Sequence, residues 1–435
     1  MNKIERKAIH FLEKNRGILF FAIISLLGFY IRFVGFDYIS GDMKFCLIRW
    51  FDRIKQGGGL ASLKAQVGNY NILYQTLIAL MTYLKVNCVY LYKALSIIFD
   101  YFLAFTAAEF ISYIYGSKRF CMKFNLVYTV VLMLPTVVLN SGFWGQCDSI
   151  YCFFLLLTLY YLYKEKYTLA FVFFGLSLGF KFQAAFLVPF IVIFYFYKKK
   201  FSILNFFVSF GVFLSTGIVG YLYGRSLAEP IAIYLNQSGT YKDMYKNIYS
   251  FWALVCSNGK TNWEYLHIFA MILTLTLCGL ALYTVMSGRI KLDSPERFLA
   301  AAAWILWTLV LFLPEMHERY TYMLDILLIM CVFLSGKYLK YAFVSAILST
   351  MTYGRYLFSL GSFEAFYAAI YVGFWVLFTY EFLRDNLVQR AKSGEQKPFP
   401  KQETLPLSDF WKKGENEPDS GQNSPSFKAV TQKEK

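Results

Sequence analysis

From residue 17 to about residue 382, long apolar stretches alternate with short polar breaks, most of them rich in Lys and Arg. An α-helix needs about 20 apolar residues to cross roughly 30 Å of hydrocarbon, and windows of that kind recur along the whole stretch. The pattern predicts an all-α polytopic membrane protein. Letting each basic break mark a return to the cytoplasm gives about 12 transmembrane helices, with the N- and C-termini cytoplasmic.

Span 1 (about 17–36) leads out to a first outer loop of about 37–88, whose apolar run 72–84 is short for a span and reads as a helix on or dipping into the outer surface. Span 2 (about 89–115) returns, and span 3 (about 125–140) leads out to the segment Ser141 to Asp148. Span 4 (about 149–163) comes back, spans 5 and 6 turn around Lys181-Phe182-Gln183, and span 7 (about 203–222) opens an outer loop of roughly 40 residues. Span 8 (about 264–286) returns, spans 9 and 10 turn around residues 314–321, and spans 11 and 12 form a last hairpin.

Composition narrows this picture. Charged residues make up 16% of the 435, against about 25% in soluble globular chains. The net charge of +16 sits in clusters between apolar spans, which is membrane topology and not a nucleic-acid surface. Eight cysteines show no CxxC or metal-type spacing and read as apolar filler in helices. The basic N-terminus and the run after it are too long for a cleaved leader and read as an uncleaved first span. The stretch 383–435 holds five of the ten prolines and charges of both signs, and is expected to be a disordered cytoplasmic tail beyond a membrane domain of 1–382.

Charges cost about 2.5–3.5 kcal/mol each at the centre of a spanning helix, so polar residues beside the spans are informative. Pro314-Glu315-Met316-His317-Glu318-Arg319-Tyr320 packs two carboxylates, an imidazole and a guanidinium between two apolar runs. His317 and Arg319 can donate to phosphate oxygens, Arg in bidentate fashion, with Glu315 or Glu318 to orient them. Asp42, just past span 1, suits either a general base or a metal ligand, or else a cap for the helix beginning near Lys44. Trp144, Gln146 and Asp148 suit sugar faces and hydroxyls, or else an interface anchor and a helix cap. Lys181, beside Gln183, can neutralise a phosphate or simply snorkel to the headgroups. Topology puts all of these on one outer face. Asp100 and Glu109 fall inside span 2 with Lys93 nearby, and each must find a partner in the bundle, either as packing or along a substrate path.

Asp42, the Trp-Gly-Gln-x-Asp-Ser-x-Tyr stretch (144–151), Lys-Phe-Gln (181–183) and Met-His-Glu-Arg-Tyr (316–320) together resemble the GT-C glycosyltransferases, most closely bacterial proteins related to GPI mannosyltransferase II. The resemblance implies a hexose donor carried on a polyprenyl phosphate, a glycan or lipid-linked acceptor, and inverting transfer at the extracytoplasmic face of the cell membrane. On this reading Asp42 deprotonates the acceptor, and Lys181, His317 and Arg319 stabilise the departing phosphate. Trp144, Gln146, Asp148, Gln183 and Glu318 hold sugar or acceptor. Many members of the family pair acidic residues in the first outer loop, whereas Met43 and Lys44 follow Asp42 here, which favours transfer without a metal or other cofactor. The rival readings are a lipid-linked oligosaccharide flippase or transporter and an O-antigen-type polysaccharide polymerase. The absence of an internal repeat between halves, and polar motifs at span ends instead of the midplane, count against transport.

Overall fold

The computed structural model describes residues 2–237, 242–256, 259–260, 263–361 and 363–392, with side chains as far as Asn386. Nearly all of this is helix. Among the described residues five helices are long and apolar enough to cross a membrane: Lys3–Phe33, Cys88–Tyr115, Trp263–Met286, Pro295–Phe312 and the Glu364–Asn386 part of the last helix. Met122–Leu132 and Pro135–Trp144 make a sixth if taken together, although they meet at a 55° bend. Other apolar helices run 10–17 residues, shorter than the roughly 20 a straight crossing needs. The chain is thus an α-helical membrane protein.

Several elements differ from expectation. The first helix starts at Lys3, well before residue 17, because Asn2 and Glu5 form a reciprocal capping box at its end. The 72–84 run is helical over ten residues only. Its helix, Ile72–Met81, buries Ile72, Tyr74, Gln75, Ile78 and Ala79 among its neighbours. The last helix, Glu364–Lys392, continues past 383, and the remainder of the expected tail, 393–435, lies outside the described residues.

The bend after Leu132 is the feature that builds the site. Pro135 cannot donate a backbone hydrogen bond, so the helix breaks and carbonyls are freed. Arg32, fully buried near the end of the first helix, donates to the Leu132 carbonyl at 2.7 Å. The same guanidinium donates to Asp100 at 2.7 Å, to Ser141 at 3.2 Å and to the Gly28 carbonyl at 3.0 Å. One side chain therefore ties the first helix, Cys88–Tyr115 and the broken segment together. Gly142 permits this closeness, since a Cβ there would stand 3.0 Å from the Arg32 Cα. Asp100 has Arg32 as its partner, not the neighbouring Lys93. Lys93 instead donates to three carbonyls, Gly35 at 2.6 Å, Phe36 at 2.9 Å and Tyr38 at 2.6 Å, fixing the turn that leads to Asp42. Glu109 pairs with Arg119 at 2.8 Å and 3.0 Å, near the loop that follows its helix.

A second frame holds residues 314–321. Two short strands, β1 (Tyr245–Lys246) and β2 (Met316–His317), pair in parallel with Tyr245 opposite Met316 and Lys246 opposite His317. Further bonds extend the zipper, from the Glu315 amide to the Asp243 carbonyl (3.1 Å), the Phe251 amide to Leu311 (3.1 Å) and the Trp252 indole to Phe312 (2.9 Å). The long loop before Trp263 thus clamps the loop that carries Arg319.

Candidate active site

Two π-helical turns deliver the first residues. Met43–Leu47 follows Asp42, and Leu139–Trp144 ends at the Trp144 indole. Such turns widen a helix and re-aim side chains, often at functional sites. Gly145 then takes a left-handed conformation (φ 73°), which a side chain would strain, and turns the chain so that Gln146 and Asp148 point back beside Trp144.

Asp42 does not cap a helix. Ser40 takes that role, its hydroxyl accepting from the Met43 amide at 3.2 Å and its carbonyl from the Lys44 amide at 3.0 Å. The Asp42 carboxylate is left to receive the Trp144 indole N–H at 3.1 Å and the Gln146 amide at 2.9 Å on Oδ2, and the Tyr356 hydroxyl at 2.5 Å on Oδ1. Trp144 is no interface anchor, being fully buried and stacked on Tyr356 with ring centroids 4.3 Å apart. Asp148 opens the helix Asp148–Tyr163 without capping it. One of its oxygens pairs directly with Lys181, and the other accepts from Asn140 at 2.9 Å. Lys181 is buried in this pair and does not snorkel.

Arg319 stands in the middle. Its Nη1 donates to Gln146 Oε1 at 2.7 Å, an oxygen that also accepts from the Tyr70 hydroxyl at 2.8 Å. Asp42 and Asp148 lie 3.7 Å away and Glu318 3.9 Å. The guanidinium also faces the Trp144 ring at 5.2 Å. Of the three carboxylates around it only Asp42 is open to the outside, its side chain 29% exposed against 0% for Asp148 and 3% for Glu318.

Asp42, Trp144, Gln146, Asp148, Lys181, Glu318 and Arg319 thus form one connected cluster. Gln183 stands at its edge, donating to the Tyr320 hydroxyl at 2.7 Å. His317 is buried with its ring 5.4 Å from that of Tyr320, and burial, reinforced by Arg319, Lys246 and Lys181, pushes its pKa down to about 3. It is therefore neutral at ordinary pH and adds no formal charge. Burial raises the Glu318 carboxyl above the usual range, with Arg319 opposing. Four buried polar atoms in and beside the cluster have no hydrogen-bond partner among the described residues: Glu318 Oε2, Arg319 Nε, Asn140 Oδ1 and Gln183 Oε1. Such unpaired atoms also occur elsewhere among the described residues, but these four stand together and offer both donors and acceptors to a polar ligand.

Sequence reasoning missed Tyr70, Asn140, Tyr356 and Lys246. It also missed Asp325, which is buried in Tyr322–Leu334 and accepts from Ser345 at 2.6 Å and Ser349 at 3.1 Å. An acidic residue inside an apolar span was the mark that could have flagged it. Among the described residues no group of three or more His, Cys, Asp or Glu side chains is arranged to hold a metal ion, and the space between the three site carboxylates is taken by Arg319.

No family model matches this chain. It is similar to GPI mannosyltransferase 1 of Saccharomyces cerevisiae, 28% identical over 109 residues, which is 25% of this chain and 26% of that protein. The likeness thus spans about a quarter of the relative's length. It supports a distant mannosyltransferase-like relationship.

Proposed function

We propose that this chain is a GT-C-type integral membrane glycosyltransferase that moves a hexose from a polyprenyl-phosphate donor to a glycan or lipid-linked acceptor at the extracytoplasmic face. The observation that carries the reading is the convergence of Asp42, Asp148 and Glu318 on Arg319, with Asp42 alone accessible.

The chemistry follows from the charges. The acceptor oxygen bonds to the anomeric carbon as the bond from that carbon to the phosphate oxygen breaks, with inversion. The electron pair leaves with the polyprenyl phosphate, and the acceptor proton passes to Asp42. Protonation removes the negative charge of Asp42 just as the phosphate gains one. Arg319, 3.7 Å from Asp42, is then free to turn its charge towards the leaving group. Lys181 stays paired with Asp148 and fixes the far side of the cluster. His317, being neutral, contributes at most a hydrogen bond, so the charge that meets the leaving phosphate is that of Arg319. The unpaired atoms of Asn140, Gln183 and Glu318 supply sugar contacts, and the fully buried Trp144 supports the site from behind.

The test is reconstitution in liposomes with undecaprenyl phosphate carrying labelled mannose or glucose, and an alkyl mannoside as acceptor. Transfer of the label to the acceptor, with release of undecaprenyl phosphate, is expected. Movement of intact labelled lipid across the bilayer without release overturns the reading in favour of a flippase.

A further inference from the structure

We infer that Tyr356 is a positioning residue for the Asp42 carboxylate and couples it to the Trp144 platform. The inference rests on Asp42 being the base proposed above. Tyr356 lies on the helix Leu339–Phe358, more than 300 residues from Asp42 in the chain, and makes three contacts with the site. Its hydroxyl donates to Asp42 Oδ1 at 2.5 Å. The same oxygen accepts from the Asp42 backbone amide at 3.0 Å. Its ring stacks on Trp144 at 4.3 Å with planes 12° apart.

The two hydrogen bonds of one hydroxyl act as a hook. The hydroxyl oxygen accepts the Asp42 N–H while its proton is given to Oδ1, so both the backbone and the side chain of Asp42 are tied to one group. That restrains the χ angles of Asp42 from the side opposite Trp144 and Gln146. With Oδ1 held by Tyr356, and Oδ2 receiving Trp144 and Gln146, the carboxylate plane is set and the remaining lone pairs point in defined directions. A base must lie within hydrogen-bond reach of the proton it takes, so orientation governs its efficiency. Gly41 lets the tyrosine approach, since a Cβ there would stand 3.3 Å from the Tyr356 hydroxyl oxygen. The Tyr353 side chain, one turn earlier on the same helix, packs edge-on to Trp144 at 5.4 Å and receives the Asn140 amide at 3.0 Å, so the helix grips the indole and its neighbours from one face.

Tyr356→Phe removes one oxygen and keeps the stack. With undecaprenyl phosphate–mannose as donor and octyl mannoside as acceptor, we expect kcat to fall about 10- to 100-fold while both KM values stay within about twofold. The melting temperature in detergent should stay close to that of the wild type. Tyr356→Leu, which loses the ring as well, should also raise KM for the donor, because Trp144 loses its support. Asp42→Asn, run beside them, should be inactive. An unchanged kcat in Tyr356→Phe with Asp42→Asn inactive overturns this inference and leaves the base assignment standing. Turnover by Asp42→Asn, or no transfer by the wild type, overturns the underlying reading and this inference with it.

Discussion

The Gln146 side chain bridges Asp42 and Arg319: its Nε2 donates to the carboxylate at 2.9 Å while its Oε1 accepts from the guanidinium at 2.7 Å. The orientation of the amide is dictated by both partners, and the amide in turn keeps an acid and a base of opposite charge 3.7 Å apart without a direct hydrogen bond. Gln146→Glu replaces the donor facing Asp42 with a second acceptor. Loss of such a buried hydrogen bond costs about 1–3 kcal/mol, so transfer should fall by about 5- to 150-fold, while Gln146→Asn, which keeps the chemistry on a shorter stem, loses less. Steady-state rates of the two variants check this.

Arg32 and Asp100 form an ion pair in which neither side chain touches solvent. Removing one partner leaves a buried charge alone and costs about 3–5 kcal/mol. Asp100→Leu should therefore lower the melting temperature strongly, whereas the double variant Arg32→Met with Asp100→Leu should recover part of it. The Leu132 carbonyl, which loses its donor with Arg32, limits that recovery. Thermal unfolding in detergent distinguishes this from a role in substrate passage, which would spare stability and reduce only turnover.

Two groups in the 314–321 loop make opposite contributions to pH dependence. His317 has a folded pKa of about 3, below the ~6.5 of an exposed imidazole. Between these values the unfolded chain binds the extra proton, so the contribution of His317 to stability is complete above about pH 6.5 and is lost as pH falls towards 3. The raised pKa of Glu318 works the other way, its stabilising effect being present at low pH and lost as pH rises through the folded pKa. His317→Gln should flatten the acid side of a plot of melting temperature against pH. NMR of the labelled imidazole should show no titration between pH 5 and 8, taken as roughly the range in which an unperturbed histidine titrates.

Arg319 occupies the space among three carboxylates where a divalent ion would otherwise find its ligands. Transfer is expected to continue in excess EDTA. Arg319→Ala should reduce it by about 1,000-fold, within the range lost when an electrostatic donor is removed. Rescue of Arg319→Ala by added Mn²⁺ would be consistent with the same geometry, and sensitivity of the wild type to EDTA would contradict it.

Two half-buried native cysteines report sidedness. Cys46 lies four residues after Asp42, and Cys121 lies among Lys118, Arg119 and Lys123. A membrane-impermeant maleimide applied to intact cells should modify Cys46 and spare Cys121, and inverted vesicles should reverse the pattern.

Charges were legible in this chain because hydrocarbon makes each of them conspicuous. Asp42, Asp148, Lys181 and Arg319 stood out at span ends, and the structure brings them together. Tyr356 and Tyr70 did not stand out, being two of 35 tyrosines whose contacts reach across 314 and 249 residues. Asp100 was expected to find a partner in the bundle, but which one was not legible: the nearby Lys93 ammonium is taken up by carbonyls of the turn after the first helix, and the partner is Arg32, 68 residues away. The third apolar run read as one span of about 125–140, whereas Pro135 breaks it at a 55° bend that Arg32 ties down through the Leu132 carbonyl, a contact across 100 residues that no local pattern encodes. Most of the short apolar helices, 10–17 residues long, were counted as spans on their apolarity and on the basic breaks beside them.

The central claim is that the Asp42–Arg319 cluster cleaves the sugar–phosphate bond of a lipid-linked donor. Its most direct test is release of undecaprenyl phosphate from undecaprenyl phosphate–mannose by purified wild type, Asp42→Asn and Arg319→Ala, each checked for unchanged melting temperature. Release by the wild type and at least about 100-fold less by both variants is the predicted result. Equal release by all three would contradict it.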